Sequence, residues 1–174
     1  ETALRQASGG GFEALTIGSL AERTGLSKSG LFAHFGSKEE LQIATIEEAG
    51  RRFTEVAFLP ALKAARGLPR LGALFTHWLL WTERSKLPGG CPIFTAIMEF
   101  DDRPGPVRQA ILQQQQRLED EMCRAVQMAV EMGHLAATTD PRQLVFEMVG
   151  IASAFYVARR LHCDSHAESR AHTA

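Results

Sequence analysis

Lys28, Ser29, Gly30, Phe32, Ala33 and His34 make up the stretch of the chain whose residue types best suit contact with a nucleic-acid duplex. An ammonium group can meet a phosphate or guanine O6 and N7, and the small residues Gly30 and Ala33 let a helix approach a groove closely. A module that packs the same way without touching DNA is the bland reading of this stretch. A second set is aromatic and thioether: Phe75, Trp78, Trp81, Phe94 and Met98, with Thr82, Cys91 and Thr95 among them. Such side chains between helices either fill a core or line an apolar pocket. His77, Glu83 and Glu99 add polar groups able to orient a ligand there.

Other constellations carry less. Cys91 has no Cys-x-x-Cys partner and reads as a small apolar filler rather than a reactive thiol. His162-Cys163-x-x-His166 has loose spacing and lacks a fourth ligand, so it reads as a solvated helix end and not as a metal site. Glu99, Asp101 and Asp102 precede Arg-Pro-Gly-Pro, where aspartate ordinarily serves turns and caps. No triad, metal set or nucleotide loop points to catalysis or to a cofactor.

The elements that must hold the first set in place are legible. Thr16 caps a helix whose apolar face is Ile17, Leu20 and Ala21, and Gly25 ends it in the left-handed conformation that glycine takes without strain. Leu26 is expected to plug the turn. Ser27 caps a second helix carrying Leu31, Phe32 and Phe35, and Ser37-Lys38-Glu39-Glu40 has the capping-box pattern of a third. Two helices around a glycine turn are the helix-turn-helix, whose second helix enters the major groove. Thr16, Ser27 and Lys38, all at helix starts, join the DNA-facing set.

The run from Ser27-Lys28 through Leu31-Phe32-Ala33-His34-Phe35, then Ser37-Lys38-Glu39-Glu40-Leu41, resembles the tetracycline-repressor (TetR) family of bacterial transcriptional regulators. Members commonly show Ser-Lys-Gly-Thr-Leu-Tyr-x-His-Phe followed by Ser-Lys-Glu-Glu-Leu. Here Ser29-Gly30 replaces Gly-Thr, Phe32 replaces Tyr, and Ala33 stands where a larger residue is frequent. Phe32 lacks the hydroxyl that the family uses on a phosphate. The resemblance implies a homodimer formed by the last two helices and a small-molecule site in the bundle.

With 174 residues and a hydrophobic fraction of 45%, the chain can build one sizeable core or a small domain joined to a larger one. The longest near-apolar run, Met148 to Ala158, is too short to span a bilayer. Three widely spaced cysteines suit a reducing cytosol rather than a disulfide framework, and no secretory leader opens the sequence. A cytoplasmic protein without membrane contact is expected. Residues 1 to 50 hold seven glutamates against four Lys/Arg, a poor balance for binding phosphates. Between residues 16 and 38 it reverses, with Arg23, Lys28 and Lys38 against Glu22. The first residues already read as helix, and a preceding basic arm, usual in the family, would repair the deficit.

Strand alternation is absent, so an all-α fold is expected: a helix-turn-helix DNA-binding domain over residues 1–48 and a helical ligand-binding and dimerisation domain over 49–174. The spacing predicts helices from Lys38 toward Phe58, with Pro60 ending or kinking that one, then over 69–85, 92–100 and 107–132. Asp140-Pro141 starts another that runs to about His162, and Ser165-His166-Ala167-Glu168 has a capping-box pattern for a last. Gly150, Ala154 and Ala158 recur every fourth residue, flanked by Phe146, Val149, Phe155 and Val157, a smooth stripe for a dimer interface or for packing inside one subunit. The expected function is a regulator released from its double-stranded operator by a small hydrophobic effector. An all-helical enzyme or carrier with an incidental helix-turn-helix is the alternative.

Overall fold

Thr16 and Ser19 cap one another at the start of the second helix. The Thr16 hydroxyl accepts the Ser19 N–H at 3.0 Å, and the Ser19 hydroxyl accepts the Thr16 N–H at 3.0 Å. This reciprocal bonding satisfies two donors that a helix N-terminus otherwise leaves orphaned. The computed structural model describes residues 1–174 and is helical throughout, without strands. In order the elements are α1 (Thr2–Gly10), α2 (Ile17–Thr24), α3 (Lys28–Phe35) and α4 (Lys38–Phe53), then a π-helical turn (Thr54–Phe58) and α5 (Leu59–Ala61). There follow α6 (Leu68–Arg84), α7 (Pro92–Phe100), α8 (Pro106–Glu131), α9 (Pro141–Arg160) and α10 (Ala167–Thr173).

The chain divides into two compact units. The first comprises Glu1–Arg52 and Ser85–Gln115, the second Phe53–Arg84 and Gln116–Ala174. The first thus contains the three N-terminal helices, most of α4, all of α7 and the beginning of α8. Its core joins Phe12, Leu15, Leu20, Leu31, Leu41 and Ile46 to Phe100, Val107 and Ile111. Phe12 and Phe100 meet edge-on, with ring centroids 6.5 Å apart. Burial of these side chains holds the helix-turn-helix against α7 and α8, at roughly 1.5–3 kcal/mol for each large one.

In the second unit α6 packs on the π-helical turn and on α9, and α10 packs on α9. Leu71, Leu74, Trp78, Leu79 and Trp81 of α6 are buried, in keeping with the apolar character of that segment.

Two sequence expectations meet a different outcome, and a third gains a detail. Leu26 does not plug the turn: it is 58% exposed, and the turn is made by Gly25 at φ 70 and ψ 10, with the Thr24 hydroxyl accepting the Leu26 N–H at 3.4 Å. Pro60 stands one residue before the end of its helix at Ala61, in keeping with a proline that ends or kinks a helix, and a wider turn precedes it. The Leu59 N–H bonds back five residues to the Thr54 carbonyl, and this wider turn accommodates a proline that offers no donor and crowds the preceding carbonyl. The Ser165 box does not form. The Asp164 carboxylate accepts the His166 N–H at 2.8 Å, and the Ala167 N–H goes to the Asp164 carbonyl.

Candidate DNA interface and ligand-binding residues

The second helix of the helix-turn-helix presents a free outer face. Lys28, Ser29, Gly30, Phe32, Ala33 and His34 are all exposed, while Leu31 is buried and Phe35 packs against the core. One face of an eight-residue helix thereby stays open across two turns. The Ser27 hydroxyl accepts the Gly30 N–H at 3.1 Å, which fixes the helix start. A Cβ on Gly30 would come within 2.9 Å of that oxygen. Glycine there keeps the cap tight as well as the surface low. Phe32, 58% exposed, offers a bare ring to solvent.

At the α1–α2 connection the structure brings together residues that are far apart in sequence. Lys38, the first residue of α4, donates from Nζ to the Glu13 carbonyl at 3.0 Å and lies 3.2 Å from the Glu13 carboxylate. The other oxygen of that carboxylate takes Arg103, which follows α7. Lys38 and then Arg103 hold the Glu13 carboxyl below its ordinary value. The Glu99 carboxylate accepts the Phe12 N–H at 3.0 and 3.2 Å and the Glu13 N–H at 3.0 Å. From α4, the buried Gln42 amide donates to the Phe12 carbonyl at 2.9 Å. The connection Gly11–Glu13 is therefore gripped from α7 on one side and from α4 on the other.

Gly11 makes that grip possible. Its φ of 78 and ψ of 174 lie in a region nearly closed to other residues, and a Cβ there would overlap the Glu99 carboxylate. Sequence reasoning took Glu99 for a ligand-orienting group and passed over Glu13, Arg103 and Gln42. The Gly10-Gly11-Phe12 run was the visible signal that the backbone needs special freedom there. Its partner on α7 lies almost ninety residues further on, and no local pattern joins the two.

The residues expected to line a ligand site are shared between the two units. Phe75, Trp78, Trp81 and Thr82 belong to the second, where the Phe75 and Trp78 ring centroids are 6.0 Å apart and edge-on. Trp78, Trp81 and Thr82 are buried. Cys91, Phe94, Thr95 and Met98 belong to the first. Cys91 is buried and caps α7, its Sγ accepting the Phe94 N–H at 3.4 Å, and the Thr95 hydroxyl donates to the Cys91 carbonyl at 3.2 Å. Met98 is 59% exposed. His77 Nδ1 lies 3.0 Å from the Ala57 carbonyl beside the π-helical turn, and Glu83 pairs with Arg159 at 2.9 Å.

On α9, Phe146, Gly150, Ala154 and Val157 are exposed and Ala158 is half-buried, while Val145, Met148, Ala152, Phe155 and Tyr156 face inward. The outer apolar stripe continues to Leu161, and nothing lies within 4 Å of where a Gly150 Cβ would stand. At the far end of α9, Cys163 is exposed with a φ of 52. No helix is long and apolar enough to cross a membrane.

Two family profiles match this chain. Residues 1–45 match the one described as bacterial regulatory proteins, tetR family. Residues 67–174 match the tetracyclin repressor-like C-terminal domain. The chain belongs to the TetR family. Its N-terminal helices are the family's DNA-binding helix-turn-helix, and the helical remainder is its C-terminal domain type. Solved structures share the fold. A TetR transcriptional regulator from Chloroflexus aurantiacus is 22% identical with a TM-score of 0.88, over 99% of this chain and 87% of that one. AibR, crystallised with isovaleryl coenzyme A and operator DNA, is 24% identical with a TM-score of 0.71, over 90% of this chain and 82% of its own. The fatty acid degradation regulator FadR from Bacillus halodurans is 13% identical with a TM-score of 0.76, over 99% and 91%. A comparison with curated proteins found no match.

Proposed function

We propose that this TetR-family chain is a ligand-responsive repressor. As a homodimer it holds an operator through α3 and is released by a small hydrophobic molecule. The observation that carries the reading is the outer face of α3. Six residues suited to a duplex stay exposed there on a helix that Leu31 and the Ser27 cap hold in place. In the dimer, Phe146, Gly150, Ala154, Val157 and Ala158 of α9 meet their symmetry mates, and the unfilled space at Gly150 lets two helices approach. Two copies of α3 then reach half-sites about one helical turn apart.

The effector is expected at the aromatic residues Phe75, Trp78 and Trp81 of α6, with Thr82 on the same helix. Two neighbours in fold, AibR with its isovaleryl coenzyme A and the fatty acid degradation regulator FadR, make an acyl compound a reasonable class to test first. Ligand and operator must favour different arrangements of the protein, because the coupling between two binding sites is reciprocal. No catalytic role is assigned, in line with the regulatory function of the family.

Selection of duplexes from a pool of fragmented genomic DNA, followed by affinity measurement on the enriched sequence, tests the proposal. Enrichment of an inverted repeat bound by two protomers, and its release by an acyl compound, is the expected result. Enrichment of no sequence over random duplex would refute operator recognition and leave the enzyme or carrier reading standing.

A further inference from the structure

We propose that Glu13 acts as a built-in stand-in for a DNA phosphate, holding Lys38 and Arg103 in the DNA-free protein, and that Arg103 is a DNA contact supplied from outside the helix-turn-helix. The inference rests on the DNA-binding reading above.

A phosphodiester carries one negative charge on two non-bridging oxygens. The Glu13 carboxylate offers the same charge on two oxygens, and each takes one cation: Oε2 takes Lys38 at 3.2 Å, and Oε1 takes Arg103. All three side chains are open to solvent, at 40% for Lys38, 54% for Glu13 and 57% for Arg103, so a strand can reach them. Both cations also have anchors that do not depend on the Glu13 carboxylate. Lys38 bonds the Glu13 main-chain carbonyl and stands at the start of α4, where backbone N–H groups favour an anion. Arg103 lies over the Phe100 ring, 5.6 Å from its centroid, and its N–H bonds the Phe100 carbonyl at 3.2 Å. Withdrawal of the carboxylate therefore leaves the two cations side by side.

The Glu13 main chain is itself fixed, since Glu99 accepts its N–H. The carboxylate is presented to the pair rather than swinging at random. Exposed ion pairs are weak individually, so a phosphate in register with α3 can displace it. The displaced carboxylate then takes up a cation from solution, which offsets one of the counterions released from the DNA.

The test uses a labelled random-sequence duplex, because phosphate contacts do not depend on sequence. Anisotropy titrations between about 50 and 200 mM salt compare the full chain with Glu13→Gln, Glu13→Ala, Arg103→Ala and the double variant Glu13→Gln/Arg103→Ala. Each is checked for folding by thermal unfolding. Both Glu13 variants are expected to bind several-fold tighter and to steepen the plot of log K against log salt by about 1 per protomer. Removing Arg103 in the Glu13→Gln background is expected to take back about 1 of that slope. Equal or weaker binding by both folded Glu13 variants would overturn the phosphate-mimic role. An unchanged slope on losing Arg103 would overturn its contact with DNA. Failure of the unaltered protein to bind any duplex would instead overturn the DNA-binding reading, and this inference with it.

Discussion

Substituting alanine for Gly11 tests whether the α1–α2 connection is built as the structure shows. At φ 78 and ψ 174 an alanine is strained by about 1–3 kcal/mol. Its Cβ would also overlap Glu99 Oε1, so the carboxylate must leave. That breaks its bonds to the Phe12 and Glu13 N–H groups, and hydrogen bonds to a charged group contribute roughly 1.5–3 kcal/mol each. Glu99 is only half-buried and water takes over part of this role, so the smaller end applies to the pair together. Gly11→Ala should therefore destabilise the protein by about 2.5–4.5 kcal/mol. Gly25→Ala is the control, because Gly25 has φ 70 with nothing within 4 Å of a Cβ, and its cost should be close to 1 kcal/mol. Urea unfolding of both variants, and of Glu99→Ala with and without Gly11→Ala, separates the two contributions. In the Glu99→Ala background the overlap is gone, and Gly11→Ala should cost only its backbone strain. Strict additivity of the two substitutions, or equal costs at Gly11 and Gly25, would refute the claim that Gly11 is glycine in order to admit Glu99.

Three further outcomes are expected. Ala154→Arg should convert a dimer to a monomer in sedimentation, because a charge buried without a partner costs about 3–5 kcal/mol, and operator affinity should fall with it; a variant that stays dimeric would place the interface elsewhere. Trp78 and Trp81, the two tryptophans of the chain and both buried on α6, should change emission when an effector releases DNA, and release with unaltered emission would locate the effector away from them. Glu13, held below the ordinary carboxylate value by Lys38 and then Arg103, should titrate in carbon-detected NMR below an unperturbed glutamate and move upward in Lys38→Ala. The sign follows from the depressed value: the ion pairs contribute above the unfolded-state pKa and are lost as pH falls through the folded one. Titration at or above the unperturbed position would refute the pairing.

Much of this was legible in the sequence because it depends on neighbours along the chain. Thr16, Gly25 and Ser27 act on backbone groups within four residues of themselves, so their spacing alone marks the turn and the two helices around it. The pattern of Leu31 buried and Lys28, Ser29, Phe32, Ala33 and His34 exposed likewise follows from helical periodicity once the helix is placed. The long apolar segment of α6 and the Asp140-Pro141 start of α9 were readable for the same reason. What tertiary structure alone decided involves partners distant in sequence. Glu99 and Arg103 are far along the chain from the Gly11–Glu13 connection that they hold, and nothing local distinguishes Glu99 from a ligand-orienting carboxylate. The π-helical turn before Pro60 was equally hidden: the proline announces that the helix ends or bends near it, but not the wider turn at Thr54–Phe58, against which α6 packs. The Ser165 pattern went unused, and the Asp164 carboxylate takes the His166 N–H at that helix start instead. Local chemistry thus determined where helices begin and which face of α3 lies open; long-range packing determined which charged groups hold the α1–α2 connection and which acidic residue stands between Lys38 and Arg103.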